Sequence, residues 1–326
     1  MHRLIVDTSN ILFRVAAANN KHNGSAEDLA GLSMHSSLNT LKSFYRKVAP
    51  DQMAVAFEGK QNWRKTYTQS AECVSKRGYK ANRVKGDDMI AFYELIGAFE
   101  GLVREHTSLV ALSHPELEGD DVIAGYAQYY AAKGDDVTIL SGDKDFVQLL
   151  KSPRIKLLNP DDGKYRTIED PEYFMFEKAI RGDAGDNVMS AYPRVRSTRI
   201  KKAFEDEYER TNMFNETWEF CDPTTGEKRT YRVGDLFEEN QLLMNLERQP
   251  QHIRDKIVQT IEHEAVHTGK FSLFHFVKFC GKFQLKKIAD TAEQFAEMFS
   301  ASGIKSPHKE ETKRIQEAKK IGTIVF

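Results

Sequence analysis

Two short acidic motifs stand out in the sequence. Asp143 and Asp145 lie two residues apart directly after an apolar run, and Asp183 and Asp186 lie three residues apart between two helical stretches. Carboxylates at these spacings can point to one side of a turn or helix, where their hard oxygen atoms suit Mg²⁺ or Mn²⁺. Pairs that converge from separate parts of a chain are typical of phosphodiester cleavage by two metal ions.

Further acids stand at or shortly after the ends of three predicted strands. They are Asp7, Glu58, Glu118, Asp120 and Asp121. Any one of them is most simply a helix cap or a turn residue. Several strand exits that all deliver acids are a different matter, because crowded carboxylates raise one another's pKa unless a cation lies among them. The sequence therefore predicts a metal site at one edge of a sheet.

The elements that must position these acids alternate between strand and helix in the first half of the chain. The predicted strands are 4–6, 53–57, 109–112, 137–140 and 155–158. The predicted helices between them are 36–48, 88–105, 121–133 and 145–150. This alternation is typical of an α/β fold with a mainly parallel sheet flanked by helices, whose site lies at the carboxyl ends of the strands.

Helical patterns dominate after about residue 170. Helices are predicted over 171–181, from near Asn187, and over 241–246, 253–263 and 271–283. Residues 215–235 indicate a small hairpin or loop insertion, and the charged stretch 305–320 indicates a solvated helix or tail. No linker rich in Pro, Gly or Ser separates the two halves, so we expect one body with a helical lobe.

The composition is that of a soluble globular protein: of 326 residues, 40% are hydrophobic and 29% charged. No run approaches the roughly 18 apolar residues of a membrane span, and the N-terminus lacks the long apolar region of a secretory signal. Three distant cysteines fit a reducing compartment. We therefore expect a cytoplasmic monomer.

The net charge of −1 conceals two basic stretches. The first lies between residues 61 and 86 and contains Arg64, Lys65, Lys76, Arg77, Lys80, Arg83 and Lys85 against a single acid. The second contains Arg194, Arg196, Arg199, Lys201 and Lys202 without an acid between them. Each can hold a phosphate backbone, although a solvated helix face is the simpler alternative.

As a set, the acidic motifs resemble those of the 5′ nuclease (flap endonuclease) family. The segments that carry this resemblance lie within about residues 1–205 and contain Asp7, Leu117 to Asp121, Ser141 to Phe146 and Gly182 to Asn187. The segment Tyr79-Lys80-Ala81-Asn82-Arg83 resembles the basic helical-arch motif of that family. The stretch after Asn187 lacks the usual glycine-rich hairpin and looks more like the phage ribonuclease H (5′ to 3′ exonuclease) branch. Whether the chain has a potassium site is therefore left open.

The resemblance implies a division of the chain and a task. Residues 1–170 would form the catalytic α/β region, with an arch at about 60–105 over the active site. Residues 171–326 would form a helical DNA-binding and C-terminal lobe with a helix-turn-helix variant. The protein would cut branched or nicked DNA and RNA-primed DNA near junctions of single and double strand. A single-strand binding protein or a sliding clamp would be its partner, in the cytoplasm of a cell or of a phage host.

The resemblance also implies the metal ligands. Two or more Mg²⁺ ions, which Mn²⁺ would replace, are expected per site. The first ion would be bound by Asp7, Glu118, Asp121 and the catalytic Asp143, and the second by Asp145, Asp183 and Asp186, with Asp120 assisting. Glu58 stands where the family usually has an aspartate, so the longer side chain would bind through water or shift the metal.

The basic residues receive roles from the same resemblance. Lys80 and Arg83 would steady the scissile phosphate as negative charge develops in the transition state. Tyr79 would stack on a base of the single strand. The residues expected to contact DNA elsewhere are Arg64, Lys65, Arg194, Arg196, Arg199, Lys201 and Lys202.

Three other functions stay open at this point. The segment His263-Glu264-Ala265-Val266-His267 matches the zinc metalloprotease pattern, although the helix should end at Thr268-Gly269 and only His275 offers a third ligand. A non-catalytic DNA-binding protein on the same scaffold would bind without cleaving. A ribonuclease of the PIN type would share the acid-rich sheet but lack the arch.

Overall fold

The computed structural model describes residues 1–18, 25–83, 89–221, 226–265 and 269–302. Its central sheet consists of β1 His2–Asp7, β2 Gln52–Ala56, β3 Val110–Leu112, β4 Asp136–Leu140 and β5 Ile155–Leu158. The strand order is β3-β2-β1-β4-β5, and every neighbouring pair is parallel. The predicted strands and the predicted α/β fold are thereby confirmed. The order changes direction at β1, and parallel sheets bind ligands outside the carboxyl ends of strands at such a point.

The helices of the described residues connect and cover these strands. They are α1 Thr8–Ala18, α2 Ala26–Val48, α3 Trp63–Gln69, α4 Met89–His106, α5 Gly119–Ala132, α6 Pro171–Arg181, α7 Ser197–Glu205, α8 Glu207–Asn215, α9 Val233–Met244, α10 Gln251–Ala265, α11 Leu273–Lys282, α12 Lys286–Ala289 and α13 Ala296–Phe299. Two 3₁₀ helices span Lys144–Lys151 and Ala292–Phe295. Within the described chain no helix has the length and apolar character that crossing a membrane requires.

The predicted insertion at 215–235 contains an antiparallel hairpin of β6 Thr217–Cys221 and β7 Lys228–Arg232. Its predicted turn lies largely outside the described residues. The predicted tail at 305–320, Lys85 in the predicted arch, and Val266 and His267 of the zinc-like motif lie outside them entirely.

The prediction that a helix begins near Asn187 is wrong. Asp183 and Val188 instead close a tight turn through two backbone hydrogen bonds of 3.0 and 2.8 Å. Asn187 has φ +58°, a left-handed conformation that an α-helix does not accommodate. The next helix, α7, begins at Ser197, so a loop of irregular backbone separates α6 from α7.

Three apolar clusters hold the fold together. One joins one face of the sheet to α2, α4 and α11, and a second joins the other face to α5 and α10. The third lies among α6, α7, α9 and the hairpin. The predicted division at residue 170 therefore does not follow the packing, because α10 and α11 return to opposite faces of the sheet. A Cβ atom on Gly125 of α5 would stand 2.1 Å from Ile257 of α10, so glycine is needed for this close helix contact.

Candidate active site

Acids from several elements meet at the carboxyl edge of the sheet. Asp7 ends β1 and is opposite Ala56, so the exits of β1 and β2 lie side by side. Asp7 accepts hydrogen bonds from the Ser141 hydroxyl after β4, at 2.7 Å, and from the backbone N–H of Asn10, at 3.0 Å. Glu58 accepts one from the backbone N–H of Gly119 at the start of α5, at 3.0 Å. The sheet therefore gathers the acids that the sequence places at separate strand exits.

Four of these acids, Asp7, Glu58, Asp120 and Asp143, form no ion pair with the described residues; we call them the uncompensated acids. Burial, with the charge of Asp143 adding to it, raises the pKa of Asp7 to about 6. Desolvation by the surrounding protein and the charge of Glu118 raise the pKa of Glu58 to about 7, although the residue as a whole is exposed. Burial and its acidic neighbours raise the pKa of Asp120 well above its usual range. The negative charge here exceeds what the chain neutralises.

A second set of acids carries cations supplied by the chain; we call these the compensated acids, and they are Glu118, Asp121, Asp145, Asp183 and Asp186. The Lys178 ammonium of α6 pairs with Asp145 and lies 3.3 Å from Asp183. Burial would raise the pKa of Asp183, but Lys178 and two backbone N–H groups outweigh it and lower the pKa.

Lys80 and Arg83, in the segment predicted to belong to an arch, form ion pairs with the compensated acids. Lys80 pairs with Glu118, and its Nζ lies 3.9 Å from Asp186. Arg83 Nη2 lies 2.5 Å from Asp186. Burial would lower the pKa of Lys80, but Glu118 and Asp186 outweigh it and raise that pKa, so the side chain is a cation. The structure thus brings the two predicted phosphate-binding residues to the acids.

Arg64 is buried at the back of the site. Only 2% of this residue is exposed, and its guanidinium donates to Glu118 and to both oxygens of Asp121, each at 2.8 Å. Its Nε donates to the carbonyl of Leu243 at the end of α9, at 2.7 Å. The predicted contact of Arg64 with DNA is therefore wrong, because no surface of its guanidinium is open to a phosphate.

Asp121 is equally buried, with both carboxylate oxygens occupied. Besides Arg64, the Trp63 indole donates to it at 3.0 Å and the Gln249 amide at 3.3 Å. Burial would raise the pKa of Asp121, but Arg64 and the hydrogen bonds outweigh it and lower the pKa. The first-ion role predicted for Asp121 does not agree with this geometry. Asp121 instead holds Arg64 against Glu118.

Tyr79 differs from its prediction as well. It is 6% exposed, and its hydroxyl donates to Asp186 at 2.8 Å and to Glu118 at 3.2 Å. Burial and the charge of Glu118 raise its pKa well above the usual range, so the hydroxyl stays a donor. The ring is too enclosed to stack on a base, and its hydroxyl instead connects the two compensated acids.

The second basic stretch lies on the surface around α7. Its five arginine and lysine side chains are exposed. Three of them are partly neutralised: Arg199 pairs with Glu216, Lys202 with Glu209 at 2.6 Å, and Lys201 with Glu205 at 3.8 Å. Arg194 and Arg196 stand in the loop before α7, and Lys65, in the first stretch, is half-buried. A role of these residues in DNA binding stays a prediction.

The donor set fits a hard divalent cation. All the candidate ligands are carboxylates, which Mg²⁺ and Mn²⁺ prefer, and the uncompensated acids carry charge that a cation would neutralise. Among the described residues, no three acidic, histidine or cysteine side chains already surround one point as metal ligands do. The ammonium groups of Lys80 and Lys178 occupy oxygens of Glu118, Asp145 and Asp183.

Comparison with known families decides where this site belongs. Residues 2–179 match the model of the 5′-3′ exonuclease N-terminal resolvase-like domain. This chain belongs to the 5′-3′ exonuclease family. The match contains every candidate metal ligand except those of the turn after α6, and the predicted family is confirmed.

Individual proteins align with this 5′-3′ exonuclease family member over shorter stretches. DNA polymerase I of Rhizobium leguminosarum is 40% identical over 121 residues, which are 34% of this chain and 11% of that protein. Ribonuclease H of Enterobacteria phage T4 is 30% identical over 127 residues, which are 36% of this chain and 41% of that protein. This chain thus matches less than half the length of either protein.

A solved structure extends the comparison of fold. The bacteriophage T5 flap endonuclease, in a pseudo-enzyme-product complex with DNA and metal ions, superposes with a TM-score of 0.57. The alignment covers 81% of this chain and 99% of that one, at 18% identity. The fold of this 5′-3′ exonuclease family member therefore extends beyond the residues that match the family model.

The competing zinc motif is occupied by other contacts in the described part of α10. Glu264 accepts a hydrogen bond from Arg104 at 2.6 Å, and the adjacent His263 side chain is 84% exposed. His275, the third ligand considered, stacks on His106 with ring centroids 3.6 Å apart. Glu264 is thus held in an ion pair with α4 rather than directed at a metal.

Trp63, Gln249 and Lys178 take part in the site although the sequence did not single them out. Lys178 lies five residues before Asp183, and an alternation of basic and acidic residues across a helix end is a weak signal that could have drawn attention to it. Trp63 and Gln249 reach Asp121 from 58 and 128 residues away, a distance over which sequence spacing carries no signal.

Proposed function

We propose that this chain is a divalent-metal-dependent 5′ nuclease that hydrolyses phosphodiester bonds near junctions of single-stranded and duplex nucleic acid. One observation carries the proposal: uncompensated acids gather at the carboxyl edge of the sheet beside the cationic Lys80 and Arg83. Excess carboxylate suits bound cations, and adjacent positive side chains suit a phosphate. We assign the metals to Asp7, Glu58, Glu118, Asp120, Asp143, Asp145, Asp183 and Asp186.

The chain's own residues divide the remaining work. Bound divalent ions would supply a nucleophilic water and neutralise charge on the scissile phosphate. Arg64 and Tyr79 fix the position of Glu118 through hydrogen bonds of 2.8 and 3.2 Å. Lys80 and Arg83 would then exchange a carboxylate partner for a phosphate oxygen, since each side chain is at least partly exposed.

Two similar proteins support a proposal for the substrate class. The T5 flap endonuclease is described in complex with DNA and metal ions, and the phage T4 relative is named a ribonuclease H. We propose flapped or nicked DNA and RNA-primed DNA as substrates, with Mg²⁺ as the metal and Mn²⁺ as its substitute. The exposed Arg194 and Arg196 would contact the duplex.

The test is cleavage of a flap duplex with a label on its 5′ end, in Mg²⁺ and at one salt concentration. The native protein should release the labelled strand, and chelation should stop it. Asp143→Asn should lose this activity, whereas His263→Ala, a change in the zinc-like motif, should keep it. Absence of cleavage by the native protein in both Mg²⁺ and Mn²⁺, with DNA binding retained, would instead support a non-catalytic DNA-binding protein.

A further inference from the structure

The β6–β7 hairpin has no part in the site described above, yet it packs on both segments that lead to that site. Its Trp218 indole donates to the carbonyl of Ala191 at 2.9 Å, and its Tyr231 hydroxyl donates to the carbonyl of Ser75 at 3.2 Å. The hairpin also lies beyond the residues that match the family model, which end at 179. It is therefore a feature of this chain that the family match does not account for.

A groove of about 480 Å³ opens between the hairpin and these two segments. Its walls include the rings of Trp218 and Phe220 and the guanidinium groups of Arg77 and Arg194. Both rings are half-buried, so part of each remains accessible. Arg77 lies over the Phe220 ring at 5.0 Å from its centroid, which places cation and ring on the same wall.

The charge of the groove favours an anion. Neither Arg77 nor Arg194 forms an ion pair with the described residues, in contrast to most of the other arginines in the described part of the chain. Glu219 is the one acid among the described residues that line the groove, against two arginines. Two arginines beside two accessible rings are the combination with which proteins hold single-stranded nucleic acid, the rings stacking on bases and the cations meeting phosphates.

The groove is close to the candidate active site along the chain. The Asn187 amide donates to the carbonyl of Gly78 at 2.9 Å, and the backbone N–H of Lys80 donates to the carbonyl of Asp186 at 2.8 Å. Arg77 precedes this pair of contacts by one residue. Three residues of chain span at most about 11 Å, so Arg77 and Lys80 can contact neighbouring parts of one strand.

We propose that this groove binds the unpaired strand of the substrate, a short stretch of single-stranded DNA or RNA, through stacking on Trp218 and Phe220 and phosphate contacts with Arg77 and Arg194. The proposal rests on the proposed nuclease function for the identity of the strand. A duplex does not fit this chemistry, because its bases are stacked internally and offer no free face to the rings.

Tryptophan fluorescence offers a direct test, because the chain has only two tryptophans. Trp63 is 6% exposed and is present in the protein with and without the Trp218→Phe change, so the difference in quenching between the two reports Trp218. In an Asp143→Asn background, which prevents cleavage, a single-stranded oligonucleotide should quench the emission, and a blunt duplex of equal length should quench it less. Trp218→Phe should remove that quenching. Equal quenching with Trp218→Phe would overturn the proposal.

Affinity variants make the test quantitative. Arg77→Ala should weaken single-strand binding on the order of tenfold, whereas Arg46→Ala, a change at an exposed arginine of α2, should leave it nearly unchanged. Glu219→Gln should strengthen it, and this gain cannot arise from misfolding. Equal effects of Arg77→Ala and Arg46→Ala, or no gain from Glu219→Gln, would contradict the proposal.

A cleavage assay separates this proposal from the proposed function. In otherwise native protein, Arg77→Ala should raise KM for a duplex with an unpaired 5′ tail and leave KM for a nicked duplex without a tail unchanged. Equal effects on both substrates would contradict the single-strand groove but leave the nuclease function supported. Single-strand quenching through Trp218 without cleavage of either substrate would contradict the nuclease function but leave the single-strand groove supported.

Discussion

The uncompensated and the compensated acids lie at one edge of the same sheet, yet they differ in how their charge is balanced. Arg64, Lys80, Arg83 and Lys178 neutralise the compensated acids within the fold. Asp7, Glu58 and Asp120 have no ion-pair partner among the described residues, and desolvation and neighbouring acids raise the pKa of each. Among the compensated acids, burial raises the pKa of Asp145 too, but there the Lys178 ammonium opposes the shift.

The presence or absence of an ion-pair partner distinguishes two kinds of carboxylate that cannot be told apart in the sequence. A compensated acid stabilises the fold through its partner, and it can bind a metal only where that partner moves away. An uncompensated acid destabilises the metal-free fold, and a cation that binds to it stabilises the fold. Removing an uncompensated acid should therefore stabilise the metal-free fold, whereas removing the cation of a compensated acid should destabilise it.

The largest effect should come from Asp120, the uncompensated acid with the most acidic neighbours. Asp120→Asn should lower the rate of flap cleavage in Mg²⁺ by at least about 10³-fold, because a metal would lose a charged ligand. The measurement is single-turnover cleavage at saturating protein. Asp162→Asn, which changes an exposed acid paired with Arg166, is the matched control and should keep nearly full activity. Comparable cleavage rates for native protein and Asp120→Asn would show that Asp120 is not a metal ligand of the site.

The second effect concerns stability, and it belongs to the compensated acids. Arg64→Gln should lower the free energy of unfolding by about 3–5 kcal/mol, because it leaves the buried charges of Glu118 and Asp121 without their cation. Urea unfolding in the presence of a chelator measures it. Lys65→Gln, a change at the next and less buried residue, should cost under about 0.5 kcal/mol. Equal urea midpoints for the two variants would show that the Arg64 network does not stabilise the fold.

The sequence was sufficient for the sheet and for the gathering of acids. Strands such as β1 and β4 are short apolar runs that end at Asp7 and just before Ser141, so their carboxyl edge follows from local pattern and from the parallel topology. The acids themselves lie in short motifs, and the resemblance to a known family connected those motifs. Local periodicity and spacing are visible without a structure.

The sequence did not show which residues contact one another across long distances in the chain. Arg64 looks like a surface residue within a basic stretch, but it contacts Asp121, 57 residues away, and Leu243, 179 residues away. Tyr79 is buried by the same long-range packing. The left-handed Asn187 replaced a predicted helix by a turn, and the return of α10 and α11 to the sheet depends on tertiary contacts. Apart from the local turn at Asn187, each error arose where distant segments determine the environment of a residue.

A pH effect should distinguish the uncompensated acids from the rest of the surface. The pKa values of Asp7 and Glu58 are raised to about 6 and about 7, above the values of roughly 4 expected in an unfolded chain. Between these limits the folded state binds more protons, so its stability is greatest at the lower pH and is lost as pH rises through about 6 to 7. Melting temperatures in a chelator should therefore fall from pH 5.5 to 7.5.

Two controls sharpen that measurement. Mg²⁺ should make the melting temperature less dependent on pH, because bound cations favour the ionised carboxylates. Asp120→Asn should do the same without metal, since it removes one of the repelling charges. A melting temperature that rises from pH 5.5 to 7.5 in the chelator would show that other groups dominate.

The smallest effect should come from turning compensated acids into uncompensated ones. Lys178→Met keeps the length of the side chain but removes the cation between Asp145 and Asp183. In a chelator it should lower the free energy of unfolding by about 1 kcal/mol, because both acids are partly exposed and solvent screens their repulsion. Mg²⁺ should then stabilise Lys178→Met more than the native protein, since two more acids are open to the metal. Lys144→Met, a change at an exposed lysine beside Asp143, supplies the control. If Mg²⁺ stabilised Lys178→Met no more than native protein, Lys178 would not compete with a cation, and the two sets of acids would not be distinguished by their ion pairs.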